Sequence, residues 1–343
     1  MLVTVRSFAK INLGLYIGVL RSDGFHDLRT VYQTIGLHDV IRVSVGRGTG
    51  IEIKCADSRV PCDQSNTCYR MAERVLEGLD ATGRVTIEIE KRLPVQGGLG
   101  AGSSNAVATM IGLERALKKR LTQPARLRLA AAVGSDLPMF VVGGTVLGVG
   151  RGEEVYPVGD LAAIPVVIVT PEMGVSTPRA FADWDALVGG GNPAELRSAG
   201  QPGAAVPTRA TPARARLTHA EGSDRLVDVG RVLSAWLVSA NTGASARGRS
   251  RAGSLLLDLV RTGIENDFER VVFPQYPELR DIKGALERAG AVYASLSGSG
   301  SALYGLFSSR AAAAKAGGRL VKQGLKAQAT TTLTRSQYWK KIV

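Results

Sequence analysis

Residues 94–105 read Pro94-Val95-Gln96-Gly97-Gly98-Leu99-Gly100-Ala101-Gly102-Ser103-Ser104-Asn105, and a stretch with helical character, 106–117, follows them. Four glycines fall within six residues of this stretch. A glycine loop that leads into a helix presents unpaired backbone N–H groups at the positive end of the helix dipole. Such a nest of N–H groups binds anions, most often phosphate. The stretch therefore predicts a protein that handles a phosphorylated ligand.

Three well-known glycine-loop patterns do not fit this stretch. A P-loop requires G-x-x-x-x-G-K-[S/T], and no Gly-Lys-Ser/Thr follows Gly97 or Gly98 at that offset. A dinucleotide-binding fingerprint requires G-x-G-x-x-G, but after Gly98 and Gly100 the third position is Ser103. A protein-kinase glycine loop leads into a hairpin rather than a helix. A helix-packing turn without a ligand stays an alternative, although four glycines and two serines exceed what a turn needs.

The overall charge bears on the kind of partner. The chain has 343 residues, enough for two domains of ordinary size, and a formal net charge of +13. Nucleic-acid-binding proteins have such a balance, but this sequence has no basic stripe interleaved with aromatic residues and no helix-turn-helix or zinc-finger spacing. We therefore expect no nucleic-acid partner. Scattered surface charge and an anionic small-molecule substrate account for the excess of lysine and arginine.

Cysteine usage and the distribution of apolar residues bear on location. The three cysteines, Cys55, Cys62 and Cys68, are odd in number and form no CxxC or Cys–His cluster, which argues against a disulfide framework and a structural zinc site. Residues 1–8 contain no long apolar segment typical of a signal peptide. No stretch of about 20 apolar residues could span a bilayer. We expect a cytoplasmic protein with no membrane partner.

Apolar alternation and helical spacing predict a mixture of strands and helices. In the first half we predict strands over 2–8, 11–17, 40–45, 51–54 and 85–90, helices over 66–79, 106–117 and 124–133, and a hairpin formed by 141–150 and 154–158. In the second half we predict strands over 165–170, 291–296 and 302–307 and helices over 255–268, 276–289 and 311–323. Alternating helices and strands in the second half are typical of an α+β fold.

The strand that begins at Pro165 is interpreted as the start of a second domain. We predict an N-terminal domain over 1–160 that contains the glycine loop, and a C-terminal domain over 161–343. Residues 189–253 are rich in glycine, proline and arginine and show little apolar periodicity, so we predict a long, partly mobile insertion there. We interpret its arginines as side chains of a solvent-exposed loop and not as a segment that binds a partner.

Three motifs together resemble a known family. The pattern P-x-x-x-G-L-G-x-x-S-S is carried by Pro94, Gly98, Leu99, Gly100, Ser103 and Ser104. It is similar to the phosphate loop of the GHMP kinases, and residues 8–13 and 296–302 are similar to the first and third motifs of that family. The resemblance implies an α+β, two-domain GHMP-kinase fold. Its N-terminal domain is a ribosomal-protein-like α/β domain with a left-handed βαβ unit, and its C-terminal domain is a ferredoxin-like α/β domain.

Further motifs narrow the resemblance within the family. Residues 21–26, 91–94 and 134–140 are similar to those of members that phosphorylate a cytidyl diphosphate substrate. This resemblance implies ATP as the phosphoryl donor. Because the sequence offers no convincing set of protein carboxylate ligands, we expect Mg²⁺ to be bound mainly through the ATP phosphates and no metal site on the protein. A monomer or weak homodimer is expected. Two alternatives stay open: a family member that acts on mevalonate, homoserine or a sugar, and a non-catalytic sensor of a nucleotide or metabolite.

The resemblance also assigns a catalytic pair and a nucleotide site. Asp136 lies in a short, kinked stretch after a helix, and from the residues alone a helix or turn cap is the simpler interpretation. The resemblance implies instead that Asp136 is the catalytic base beside Lys10, whose charge stabilises the developing alkoxide. The residues expected to bind ATP are Pro94, Val95, Gln96, Gly97, Gly98, Leu99, Gly100, Ala101, Gly102, Ser103, Ser104, Asn66 and Lys91.

The substrate site is expected to consist of aromatic and small polar residues. In the family the cytidine base lies between two aromatic rings and is hydrogen-bonded by a histidine. Phe25 stands where the family commonly has tyrosine, and this change keeps the stacking face but loses a hydroxyl. The residues expected to bind the substrate are Asn12, Phe25, His26, Tyr32, Thr177, Phe181, Gly298 and Ser299.

Overall fold

The computed structural model describes residues 1–161, 163–188 and 264–343. The insertion predicted at 189–253 and most of the helix predicted at 255–268 lie outside these residues. Within the described ranges no helix combines the length and the apolar character that a membrane span requires.

Ten strands and nine helices are described within those ranges. The strands are β1 (Leu2–Leu20), β2 (His26–Gly46), β3 (Gly50–Cys55), β4 (Arg84–Glu90), β5 (Thr145–Val149), β6 (Glu154–Pro157), β7 (Pro165–Val169), β8 (Tyr293–Leu296), β9 (Leu303–Leu306) and β10 (Ala327–Thr331). The helices are α1 (Thr67–Gly78), α2 (Ala101–Leu117), α3 (Gln123–Val133), α4 (Leu137–Val142), α5 (Thr177–Val188), α6 (Glu269–Gln275), α7 (Pro277–Arg288), α8 (Arg310–Lys322) and α9 (Arg335–Lys341).

The first sheet carries the glycine loop at the end of one of its central strands. Its strand order is β3-β4-β2-β5-β6, and β1 pairs with β2 outside this path. Strands β3 and β4 are parallel neighbours, with Ile53 opposite Ile87, and α1 connects them as a βαβ unit. Helices α1 and α2 cover the sheet, and Met71, Val107 and Met110 are buried in the core between them.

The second sheet is antiparallel and has the order β10-β7-β9-β8. Helices α7 and α8 pack against it and bury Leu279, Leu286 and Leu320. The strands predicted near 165–170, 291–296 and 302–307 and the helices predicted near 276–289 and 311–323 are confirmed. Helices and a sheet in each half give the two-domain α+β architecture.

Three elements of the first half differ from their predicted form. The strands predicted over 2–8 and 11–17 are one strand, β1, which bends at register shifts between Phe8 and Lys10 and between Asn12 and Gly14. Helix α2 begins at Ala101, so the last residues of the glycine loop form its first turn. Residues 141 and 142, predicted to begin a hairpin strand, are the end of helix α4, and the strand begins at Thr145, since a short apolar run has no period that separates helix from strand.

Helix α9 packs on the first core although it follows the second sheet in sequence. Tyr338 is buried there, and its hydroxyl donates to the carbonyl of Phe140 over 2.7 Å. At the same place the backbone N–H of Arg6 donates to the carbonyl of Ile342 over 2.7 Å. The predicted boundary at residue 160 lies in the segment between β6 and β7, but residues 335–342 join the first core. The bounds 1–160 and 161–343 of the two domains stay predictions.

Candidate active site

Two cavities meet at the glycine loop. The smaller cavity, about 370 Å³, lies between the loop and residues 59–67. The larger cavity, about 740 Å³, is lined by residues from both halves of the chain. Gly98, Gly100 and Ser103 line both cavities. The glycine loop is therefore the common wall of the two.

Backbone geometry makes glycine necessary at two positions of the loop. Gly98 and Gly100 have φ values of +71° and +67°, in the left-handed region that favours glycine. A Cβ at Gly98 would collide with the carbonyl oxygen of Ser297, and one at Gly100 would lie 2.9 Å from the ring of Phe140. The loop thus passes close to the second half of the chain at Gly98 and turns into α2 at Gly100.

Gly98→Ala is expected to lower the free energy of unfolding by about 1–3 kcal/mol, because the added Cβ strains the backbone and meets a carbonyl that has no room to move. Gly102 provides a matched control, since it lies in α2 and its Cβ would meet only Thr67 Oγ1 at 3.7 Å. Gly102→Ala is expected to raise the same free energy by at most about 1 kcal/mol. Urea denaturation followed by circular dichroism measures both, and equal stabilities would contradict the prediction.

A buried carboxylate anchors the entrance to the loop. Asp39 on β2 is fully buried and accepts hydrogen bonds from Lys91 Nζ at 2.6 Å and from the N–H groups of Arg92 and Leu93, both at 2.7 Å. It also accepts one from Asn105 Nδ2 at 3.1 Å. Asp39 therefore ties the residues before the loop to the first turn of α2. The ammonium of Lys91, a predicted ATP ligand, is already paired with this carboxylate.

All the residues predicted to bind ATP line the smaller cavity except Ser104. Ser104 is buried, its hydroxyl accepts a hydrogen bond from Ser7 Oγ at 2.8 Å, and its N–H donates to the carbonyl of Gly100. The structure therefore does not bring Ser104 to the cavity. Asn66 lines the cavity but caps α1, with Oδ1 accepting from the N–H of Cys68 and Nδ2 donating to the carbonyl of Pro61. Its contact with a nucleotide stays a prediction.

The larger cavity brings together every residue predicted for catalysis and substrate binding. These residues are Lys10, Asn12, Phe25, His26, Tyr32, Asp136, Thr177, Phe181, Gly298 and Ser299. They come from β1, the turn between β1 and β2, β2 itself, the residue before α4, α5 and the turn between β8 and β9. Four stretches of the chain, 10–32, 136, 177–181 and 298–299, thus contribute to one cavity.

Lys10 and Asp136 form an ion pair at the loop. Lys10 Nζ lies 3.5 Å from Asp136 Oδ2 and donates hydrogen bonds to Asn12 Oδ1 at 2.6 Å and to the carbonyl of Gly98 at 3.0 Å. The Lys10 side chain is buried, while that of Asp136 is 36% exposed. Asp136 precedes α4, but its carboxylate makes no capping hydrogen bond to that helix. The Asp136 carboxylate is therefore held by Lys10 and not by the N-terminus of α4.

Tyr32 completes this cluster. Its hydroxyl donates to Asp136 Oδ1 over 3.0 Å, and Lys10 Nζ lies 5.6 Å from the centre of its ring. Burial and the neighbouring Asp136 charge hold the pKa of Tyr32 well above its ordinary value, so the hydroxyl stays protonated and remains a donor. A Cβ at Gly152 would lie 2.5 Å from the Tyr32 hydroxyl, so this ring fits only beside a glycine.

Aromatic side chains and His26 form the far end of the larger cavity. The imidazole of His26 stacks on the ring of Phe181, with centroids 4.9 Å apart and planes 8° apart. The ring of Phe181 meets that of Phe268 edge-on at 5.0 Å. Phe25 is 49% exposed, and the guanidinium carbon of Arg151 lies 4.8 Å from its ring centre. This end of the cavity offers flat faces to a planar ligand.

Two charged residues of the larger cavity are absent from the sequence-based prediction. Arg151 lies in a glycine turn between β5 and β6, and Asp185 lies on α5 one helical turn after Phe181. Helical spacing from Phe181 is the signal in the sequence that could have identified Asp185. Nothing comparable singles out Arg151. Within the described ranges no group of three or more His, Cys, Asp or Glu side chains is arranged to hold a metal ion.

Comparison with known proteins places the chain in a family. The family models described as "GHMP kinases N terminal domain" and "GHMP kinases C terminal" match residues 66–144 and 250–326. The 4-diphosphocytidyl-2-C-methyl-D-erythritol kinase of Solibacter usitatus is 35% identical over 306 residues, which cover 89% of this chain and 81% of that protein. The protein of the same name from Moorella thermoacetica is 34% identical over 304 residues, or 89% of this chain and 90% of that protein.

Solved structures agree with the sequence relatives. A crystal structure of 4-(cytidine 5'-diphospho)-2C-methyl-D-erythritol kinase matches with a TM-score of 0.66 at 25% identity, over 96% of this chain and 99% of that one. A homoserine kinase from Cytophaga hutchinsonii matches with a TM-score of 0.68 at 20% identity, over 97% of this chain and 95% of that one, and shows the shared fold. Because relatives above 30% identity span almost all of it, the chain belongs to the GHMP kinases, within the 4-diphosphocytidyl-2-C-methyl-D-erythritol kinase family.

Proposed function

We propose that this protein is an ATP-dependent kinase that phosphorylates the 2-hydroxyl of 4-diphosphocytidyl-2-C-methyl-D-erythritol, in the non-mevalonate route to isoprenoid precursors. The observation that carries the proposal is the Lys10–Asp136 pair, which lies beside the glycine loop where the two cavities adjoin. A base placed between a phosphate site and a second ligand site is what transfer to a hydroxyl requires. The names of the relatives supply the substrate.

ATP occupies the smaller cavity in this proposal. The N–H groups of the glycine loop and the positive end of α2 hold its phosphates, because both favour negative charge at that point. Mg²⁺ would be held mainly by the phosphate oxygens and would neutralise their charge. Ser103 lines both cavities, and its hydroxyl is an oxygen donor of the kind that Mg²⁺ accepts. Ser103 is therefore the residue that would hold that ion beside the phosphates.

The transfer step uses the cluster around Asp136. The substrate oxygen forms a bond to the γ-phosphorus as the bond from that phosphorus to the bridging oxygen of ADP breaks, and Asp136 takes the hydroxyl proton. Lys10 stabilises the negative charge that develops on the attacking oxygen. Tyr32 and Asn12 hold the two charged groups in place through the hydrogen bonds to Asp136 Oδ1 and from Lys10 Nζ.

The cytidyl diphosphate part of the substrate occupies the larger cavity. Phe25, Phe181 and His26 contact the base, and Thr177 and Ser299, whose hydroxyls are 2.7 Å apart, line the path towards Asp136. The guanidinium of Arg151, which also pairs with Glu153 at 3.0 Å, lies on the same wall and can donate to a diphosphate. The cytoplasmic location and the monomeric or weakly dimeric state stay predictions.

A coupled ADP-release assay tests the proposed function. Turnover is expected with ATP and 4-diphosphocytidyl-2-C-methyl-D-erythritol, and not with mevalonate, homoserine or galactose at the same concentration. ³¹P NMR of the product should show a new phosphomonoester resonance beside the two diphosphate resonances. ADP release with one of the other acceptors and none with the cytidyl substrate would overturn the proposal in favour of a different kinase of the family.

A further inference from the structure

A carboxylate outside the transfer cluster contacts the histidine of the larger cavity. Asp185 Oδ1 on α5 lies 2.7 Å from His26 Nε2 at the start of β2. The side chain of His26 is only 5% exposed, and that of Asp185 is 44% exposed. Both residues line the larger cavity. The hydrogen bond therefore joins the two halves of the chain across the substrate side of the site.

The chemistry of the two groups determines which nitrogen carries the proton. A neutral imidazole has one N–H donor and one acceptor nitrogen, whereas an ionised carboxylate only accepts. The short contact with Asp185 therefore places the proton of the neutral ring on Nε2. The remaining nitrogen, Nδ1, is then an acceptor, and no group in the described parts of the chain bonds to it.

The same helix also fixes the plane of the imidazole. Phe181 and Asp185 are four residues apart on α5, so they lie on one face of that helix. Phe181 covers the flat face of the imidazole at 4.9 Å, and Asp185 holds its edge. With the face and one edge fixed, the ring cannot turn to exchange Nε2 and Nδ1 without breaking the hydrogen bond.

We infer that Asp185 is a positioning residue that keeps His26 Nδ1 as a hydrogen-bond acceptor and so makes the site select cytosine over uracil. Cytosine has an exocyclic amino group, which donates, where uracil has a carbonyl, which accepts. A fixed acceptor pairs with the amino group and faces the lone pairs of the carbonyl. This inference rests on the proposed function, because it needs a pyrimidine nucleotide in the larger cavity.

Steady-state kinetics with two substrates tests the role of Asp185. The substrates are the cytidyl diphosphate ester and its uridyl counterpart with the same polyol, and the variants are Asp185→Ala and Asp185→Asn. We expect Asp185→Ala to lower the cytidyl-to-uridyl ratio of kcat/KM about tenfold, as the loss of one hydrogen bond does. The change should fall on the KM for the cytidyl ester, with the KM for ATP within about twofold of the original.

Asp185→Asn is expected to keep most of the selectivity, because the amide oxygen still accepts from Nε2. Asp183 on the same helix is the matched control: its carboxylate contacts Gln275 Nε2 at 2.7 Å and does not line the cavity. Asp183→Ala should leave the ratio unchanged. A folded Asp185→Ala variant with an unchanged ratio, or Asp185→Asn with the same loss as Asp185→Ala, would overturn this inference. No turnover of the cytidyl ester by the original protein would overturn the proposed function as well.

Discussion

Asp136→Asn is expected to reduce kcat about 10²–10⁴-fold, the usual contribution of a positioned general base. Asparagine has the shape of aspartate and can still accept the hydrogen bond that Tyr32 donates, so the fold and the cavity should persist. It cannot take the proton of the attacking hydroxyl. The KM for ATP should stay almost unchanged, because Asp136 lines only the larger of the two cavities. ADP release at saturating substrate measures the effect.

A control for this variant should remove a carboxylate elsewhere. Asp281 is exposed on α7, on the helical layer of the second sheet, and Asp281→Asn is expected to leave kcat unchanged. Single-turnover kinetics separates a slow chemical step from slow product release in Asp136→Asn. Near-normal turnover in Asp136→Asn would contradict its role as the base and would favour a mechanism in which positioning and charge alone drive transfer.

Lys10→Met is expected to lower kcat about 10²–10³-fold, as the loss of one preorganised stabiliser of developing negative charge does. Methionine occupies a similar volume in this buried position, so the core around β1 should stay filled. The substitution removes the ammonium that lies 3.5 Å from Asp136 and donates to Asn12. Loss of kcat without a matching rise in the KM for ATP would show that Lys10 acts in the transfer step.

Lys315→Met is the matched control, because Lys315 is exposed on α8. It should reduce the net charge equally and leave kcat unchanged. If Lys10→Met turns over normally, the ion pair with Asp136 is structural. If both variants lose activity to the same degree, general charge rather than the local ammonium is responsible.

The glycine loop was predictable because its constraints are local. Three residues of the loop have a left-handed φ, and two of them, Gly98 and Gly100, are glycines; the third is Gln96. Helix α3 was predictable for the same reason, since Pro124 and Thr122 mark its first turn. The helical form of residues 137–142 was not predictable, because six apolar residues contain too little periodicity to distinguish a helix from a strand.

The candidate site was predictable only in part. Motif resemblance identified Lys10 and Asp136, which lie far apart in sequence and whose proximity depends on the packing of α4 against the first sheet. Asp39, Arg151 and Asp185 were missed because a charged residue in a strand, turn or helix looks like a solvated one until its partner is known. The partners of Asp39 are 52 to 66 positions away, and His26 is 159 positions from Asp185.

The packing of α9 has a consequence for when the first core can be completed during synthesis. The second sheet is complete once Thr331 has been synthesised, whereas the first core still lacks Tyr338 and Ile342 at that point. The carbonyl of Phe140 accepts a hydrogen bond from Tyr338, which is translated 198 residues later. Domains generally fold as units during synthesis, the N-terminal one first. Here the first core, which adjoins the phosphate loop, includes residues that are translated after the last strand of the second sheet.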